Sequence, residues 1–173
     1  MRRAILTAAV LSAVSLAACA KKHPASLPPQ PANVAQAEQG PQAPSGISNA
    51  PVPGSNADFV AQMNGQNVIY FDTDKYDIDD ADAAALRTQA QYLQRYPDRH
   101  ITIEGHCDER GTREYNLALG ERRANAAKNY LASLGIDASR ISVISYGKER
   151  PVALGSNEEA WAKNRRAVTV VID

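Results

Sequence analysis

The chain has 173 residues, with 19 lysines and arginines balanced by 19 aspartates and glutamates and only two cysteines. That is room for one core of ordinary domain size, with length left over that need not fold. Four of the basic residues, Arg2, Arg3, Lys21 and Lys22, precede position 23, so the remainder is mildly acidic, which disfavours a nucleic-acid partner held through its phosphates.

The first residues, MRRAILTAAVLSAVSLAAC, set two arginines before an uncharged apolar run from Ala4 to Ala18, and then a cysteine. The run is shorter than the roughly 20 apolar residues a spanning helix needs, so residues 1–18 read as an export signal rather than a retained anchor. Leu16-Ala17-Ala18-Cys19 has the pattern of a bacterial lipobox, in which the cysteine thiol takes the lipid and cleavage falls just before it. The alternative is an ordinary signal peptidase site that happens to precede a cysteine. With Cys19 lipidated, Cys107 has no partner in the chain and no disulfide is expected. Residues 19–57 are rich in proline, alanine, glutamine, serine and glycine. They bury too little to offset ordering entropy and read as a disordered tether, spanning roughly 35 Å as a flexible coil.

The folded domain is expected over residues 58–173. Asn67 to Phe71 is a short β-branched and aromatic run that suits a strand. The acidic stretch DTDKYDIDDAD then leads into a helix in which Ile78, Leu86, Ala90 and Leu93 recur at helical spacing, ended by Pro97. Asp72 and Asp74 begin like a calcium loop, but Asp77 stands where that loop needs glycine and Ala83 where it needs glutamate. Capping and the helix dipole account for these acids. His100 to Glu104 alternates as a second strand, with a loop from Gly105. Thr112 caps a second long helix, from about Glu114 to Leu134, which Gly135 stops; Leu117, Ala124, Ala127, Leu131 and Leu134 are its expected core stripe. A strand over Ile141 to Ser145, a loop over Tyr146 to Pro151, a short helix near Glu158 to Lys163 and a last strand over Ala167 to Ile172 complete the chain. Strands alternating with helices predict an α/β (α+β) domain of two layers, with both long helices on one sheet face.

Residues 104 to 111, EGHCDERG, concentrate acids, a histidine and a thiol. No second histidine or cysteine stands at ligand spacing to complete a tetrahedral metal site, and no metal or other cofactor is expected. A nucleophilic Cys107 would have only His100 and His106 as bases, without an orienting partner beyond Asp108. In the helix that follows, Asn116, Leu119 and Arg123 share one face, apart from the expected core stripe. The loop carrying Asp108 runs into that helix, so an anion and a guanidinium flank one shallow groove. Such a pair suits a zwitterion. Arg122, Arg165 and Arg166 are read as a solvated face, and Tyr146 and Trp161 as packing residues.

The runs GHCDERGTREYNLALGERRANAAKNYLASLGI, ISVISYGKERPV and NRRAVTVVI closely resemble the OmpA-like peptidoglycan-binding family, in its peptidoglycan-associated lipoprotein branch, over residues 67 to 173. The resemblance implies a mixed four-stranded sheet and a groove that holds the diaminopimelate of the peptidoglycan stem peptide. On that basis Asp108 takes the ammonium of the ligand's far amino-acid centre, Arg123 grips its carboxylate bidentately, and Leu119 lines the groove. Asp74 helps hold the carboxylate through its backbone, and Asn116 is a supporting donor. Alanine at 108 or 123 is then expected to weaken binding with the fold intact. Cys107 departs from the threonine or alanine more common in the family.

The resemblance further implies an outer-membrane lipoprotein facing the periplasm, anchored through lipid at Cys19, and part of the Tol system that maintains the envelope and serves cell division. TolB and other Tol proteins are the implied protein partners. A lipid-anchored cell-wall hydrolase is the alternative reading, and a scaffold with a vestigial groove a third.

Overall fold

The computed structural model describes residues 50–173. The export signal, the lipobox at Cys19 and all but the last residues of the expected tether lie outside the described residues. The elements in chain order are α1 (Asn56–Met63), β1 (Val68–Tyr70), α2 (Asp80–Arg95), β2 (His100–His106), α3 (Arg113–Ser133), a 3-10 turn (Ala138–Arg140), β3 (Ile141–Gly147), α4 (Glu158–Asn164) and β4 (Arg166–Ile172). Among the described residues no helix is long and apolar enough to cross a membrane.

The sheet has the order β1-β4-β2-β3, with β2 and β3 parallel and β4 antiparallel to both β1 and β2. Both crossovers, β1 to β2 through α2 and β2 to β3 through α3, move the same way along this order. The preference for right-handed crossovers then places both long helices on one face, as expected. Ile101 and Ile103 of β2, Ala167 and Val171 of β4, and Leu86, Ala90 and Leu93 of α2 meet Ala124, Ala127 and Leu131 of α3 in the core. Leu117 is only half-buried, which corrects the expected stripe. The buried face of α3 instead runs Asn116, Leu119, Gly120, Arg123, Ala124, Ala127, Leu131, so the face expected to be free is the core stripe continued toward the helix start.

Contact between α3 and β2 is closest at a glycine pair. A Cβ on Gly105 would stand 1.8 Å from the carbonyl oxygen of Gly120, and one on Gly120 would stand 2.4 Å from Ser145 Oγ. Only glycine lets the two backbones approach this far. The first turns of α3 are thereby pressed onto the end of β2.

Helix α1 corrects the expected boundary of the tether, because Asn56 and Ala57 are already helical. Ser55 caps it by accepting Asp58 N–H at 3.2 Å, and Phe59 and Met63, one turn apart, enter the core. Asn56 Oδ1 accepts Val171 N–H at 3.0 Å, tying this helix to β4. Strands β2 and β3 also run further than expected, through His106 and Gly147. Arg165 and Arg166 are buried rather than solvated. Arg165 Nε donates to Phe71 O at 2.9 Å, and Arg166 donates to Asn164 O and Arg150 O at 3.3 and 3.2 Å.

His106 lies on the sheet face opposite the long helices, buried beside Tyr146, whose ring centroid is 5.5 Å away. Burial, with the charges of Arg166 and Arg150, brings its imidazole down to about 4. Glu104 Oε2, 3.5 Å from Nε2, pulls the other way. Neither ring nitrogen has a hydrogen-bond partner among the described residues, so burial prevails and the ring is neutral. The unfolded chain takes a proton here below its ordinary value of 6.5, whereas the folded protein resists until about 4. Stability from this group is therefore whole above 6.5 and lost as pH falls through that window, by about 3 kcal/mol in all. Urea denaturation of wild-type and His106→Gln across the window checks this: the stability gap between them narrows as pH falls. A gap that does not change with pH would mean the ring is not held neutral.

Candidate functional site

The end of β2, the loop 107–112, the start of α3 and the segment after β1 meet in a groove of about 270 Å³. All five residues singled out from the sequence, Asp74, Asp108, Asn116, Leu119 and Arg123, line it. Thr112 caps α3 by accepting Tyr115 N–H at 3.2 Å. Asn116 Nδ2 donates to Arg110 O at 2.6 Å and Thr112 O at 2.9 Å, so both its amide hydrogens fasten the loop to the helix. Its role is to position the loop, which corrects its reading as a ligand donor. Asp74 has φ of 56° and its carboxylate accepts the Tyr115 hydroxyl at 3.1 Å. Aspartate is among the few residues other than glycine that tolerate this left-handed backbone.

Arg123 is completely buried. Its Nε donates to Lys75 O at 2.8 Å, Nη2 to Asp72 O at 3.0 Å, and Nη1 to His106 O at 2.9 Å and Cys107 Sγ at 3.5 Å. The Phe71 ring stands 5.1 Å from the guanidinium carbon. Four of its five N–H groups are thus engaged within the protein, and one on Nη2 has no acceptor among the described residues. A bidentate grip on a ligand is ruled out in this arrangement. Arg123 offers a single N–H and otherwise clasps the segment after β1 to the end of β2.

Asp108 is also buried. Burial pushes its carboxyl up, but the hydrogen bonds of the Arg110 side chain and backbone N–H, with the charges of Arg110 and Arg165, more than reverse this and hold it below the usual range. It is a carboxylate. Arg110 chelates it, with Nε 3.0 Å from Oδ1 and Nη2 2.7 Å from Oδ2. Arg165 Nη1 stands 3.6 Å from Oδ2 on the inner side. Arg110 also lies over the Trp161 ring at 4.2 Å, and Trp161 Nε1 donates to Glu109 Oε1 at 3.0 Å.

Cys107 and His106 face opposite ways. The Cys107 thiol donates to Asn116 O at 3.3 Å, and burial pushes it up, away from the thiolate that a nucleophile requires. Among the described residues no three histidine, cysteine or acidic side chains are grouped to hold a metal ion.

The OmpA family model matches residues 70–165. The chain is 52% identical over 126 residues to the peptidoglycan-associated lipoprotein of Agrobacterium fabrum, covering 73% of this chain and 70% of that one. The chain belongs to the OmpA family. It is also 51% identical to the peptidoglycan-associated lipoprotein of Haemophilus influenzae over 59% of its length and 67% of that protein's. The crystal structure of the peptidoglycan-associated lipoprotein from Burkholderia pseudomallei superposes with a TM-score of 0.62 at 47% identity, over 66% of this chain and all of that one. The cell wall anchor of the type VI secretion system from Pseudomonas aeruginosa shares the fold at 24% identity, with a TM-score of 0.55 over 70% of this chain and all of that one.

In this OmpA family member sequence reasoning missed one residue that lines the groove, Arg110, and two that stand behind it, Trp161 against Arg110 and Arg165 against Asp108. Arg110 stood in the quoted motif two positions from Asp108, a spacing that lets an arginine fold back on an acid in a loop. Trp161 and Arg165 come from more than fifty residues away, and no local pattern marks them. The clasp also changes what substitution at 123 does. Arg123→Ala leaves the carbonyls of Asp72, Lys75 and His106 without their donor, and we expect a loss of about 3 kcal/mol of stability, with Arg123→Lys recovering part of it. The midpoint of urea unfolding measures this. An alanine variant within about 1 kcal/mol of wild-type would show that water replaces the clasp.

Proposed function

We propose that this chain is a non-enzymatic cell-envelope lipoprotein that holds peptidoglycan non-covalently, through the diaminopimelate of the stem peptide, in the groove between Asp74 and Asp108. The observation that carries the reading is a buried, ionised carboxylate and the remaining N–H of a buried guanidinium on one groove. The main-chain amides of Thr73 and Asp74 have no acceptor among the described residues and supply further donors for an anion. Asp108 takes the ammonium of the far amino-acid centre, and its carboxylate lies against the Nη2 of Arg123. Support from relatives is the name peptidoglycan-associated lipoprotein, borne by proteins about half identical to this one. Against the hydrolase alternative, Cys107 is buried with its thiol pushed up and His106 faces away, so this pair does not form an activated nucleophile.

Purified sacculi incubated with the full chain in detergent test the reading. We expect co-sedimentation without release of soluble fragments, and Asp108→Asn to weaken it by roughly 2 kcal/mol. Soluble muropeptides would favour the hydrolase, and undiminished binding by Asp108→Asn would remove the groove from the account. In this reading TolB shares the loop 109–113 with the stem peptide, so adding TolB releases the chain from sacculi; continued retention would mean separate sites.

The lipid anchor belongs to the same proposal. Cys19 receives it, and Ala20 rather than aspartate follows, which directs the chain to the outer membrane. Several acyl chains hold where a single one is marginal. Cys19→Ser is expected to leave an unlipidated precursor, and mass spectrometry of the mature amino terminus decides: an unmodified thiol on wild-type protein would overturn the anchor.

A further inference from the structure

We propose that Arg110 sets the selectivity of the groove by occupying Asp108 in the unliganded protein, so that a ligand's ammonium must exchange with it. The inference rests on the reading of the groove as a zwitterion site. Both Asp108 oxygens are taken by this one guanidinium, at 3.0 and 2.7 Å, and the Arg110 backbone N–H adds a third bond at 3.1 Å. Three of the carboxylate's roughly four acceptor sites are thus filled, and Arg165 Nη1 crowds Oδ2 at 3.6 Å, so an incoming ammonium gains a full place at Asp108 by displacing the side-chain pair.

Two arginines face Asp108, and only one of them can leave. The Arg165 side chain is 7% exposed, donates to Phe71 O at 2.9 Å and Glu158 Oε1 at 2.6 Å, and has no room to move. The Arg110 side chain is 39% exposed and is held beyond Asp108 only by Thr73 Oγ1 at 3.2 Å and the face of Trp161 at 4.2 Å. It can slide along the Trp161 ring off Asp108 and stay at the rim of the groove, without breaking into the core.

Charge then decides which ligands make the exchange cheaply. A lone amine replaces one cation with another at Asp108 and strands Arg110 beside the buried cations Arg123 and Arg165. An amino-acid centre brings a carboxylate on the same carbon as the ammonium, so the positive charge released from Asp108 meets a new anion. Diaminopimelate and lysine differ by that far carboxylate. Arg110 therefore raises the threshold for lysine more than for diaminopimelate.

The test uses the full chain in detergent, titrated with L-Ala-γ-D-Glu-meso-diaminopimelate and with L-Ala-γ-D-Glu-L-Lys. Calorimetry gives both dissociation constants, and the emission of Trp161, the sole tryptophan, reports whether the guanidinium leaves its ring. We expect the diaminopimelate peptide to change that emission in wild-type protein and not in Arg110→Gln. We further expect Arg110→Gln to tighten the lysine peptide about tenfold while moving the diaminopimelate peptide less than about threefold, with Arg110→Lys between. An unchanged ratio of the two constants in Arg110→Gln, or Trp161 emission unmoved at saturation, overturns the role of Arg110 and leaves the groove's function standing. Wild-type protein that binds neither peptide overturns both.

Discussion

One buried guanidinium holds the site together. Arg123 reaches from the middle of α3 to carbonyls 48 and 51 residues earlier in the chain, and to His106 O at the end of β2. A cation so deeply desolvated persists only when its donors are met by well-placed acceptors, and peptide carbonyls at and beyond the ends of strands are such acceptors. The clasp works both ways: it keeps the arginine charged in the core, and it fixes the backbone after β1. Asp74, Tyr115 and the groove floor take their places from it.

The same device recurs. Arg140 gathers Leu93 O, Tyr96 O and Arg99 O at the end of α2, Arg165 holds Phe71 O, and Arg166 holds Arg150 O and Asn164 O. Each binds a place where regular structure has ended and carbonyls would otherwise point at nothing. The planar fork of arginine reaches several such oxygens at once, where lysine offers a point charge. Read from sequence, an arginine pair such as Arg165-Arg166 looks like solvated surface, because its acceptors are backbone atoms whose positions only the fold supplies.

That is also the boundary between what the sequence makes legible and what it does not. Strands over 68–70 and 100–106 and the helix capped by Thr112 follow from local alternation, helical spacing and capping chemistry, and they emerge with ends shifted by only a few residues. Helix α1 escapes because its signal is two apolar residues, Phe59 and Met63, after a proline- and glycine-rich stretch. The pairing of Gly105 with Gly120 is equally silent, although it seats α3 on β2 and thereby brings Asn116 and Arg123 to the strand end. Asp108 and Arg123 were recognisable as partners in a groove from the loop that joins their elements and from the family resemblance. That Arg123 spends its donors on carbonyls, and that Asp108 is already paired, depends on contacts between residues far apart.

A groove built this way divides its charges into fixed and movable ones, and the division has an electrostatic reason. Arg123 is locked by backbone oxygens and Arg165 by Phe71 O and the Glu158 carboxylate, so their field acts on a ligand without large side-chain reorganisation, as preorganised dipoles do. Asp108 sits within reach of both fields and would be overcompensated by them alone in a wet groove. In a buried position, however, its own desolvation pushes it toward the neutral acid, and the nearby arginines keep it ionised. Arg110 supplies the last and nearest positive charge from the solvent side, where its removal costs little packing. The arrangement therefore presents an anion that stays charged without a ligand and a cation that can be traded for the ligand's own. Without the Arg110 hydrogen bonds, the upward push of burial on the Asp108 carboxyl would lose its main counterweight. Pairing the acid with an exposed guanidinium keeps the buried carboxylate charged; on the exchange proposed above, the same pairing makes a simple amine a poor competitor for Asp108.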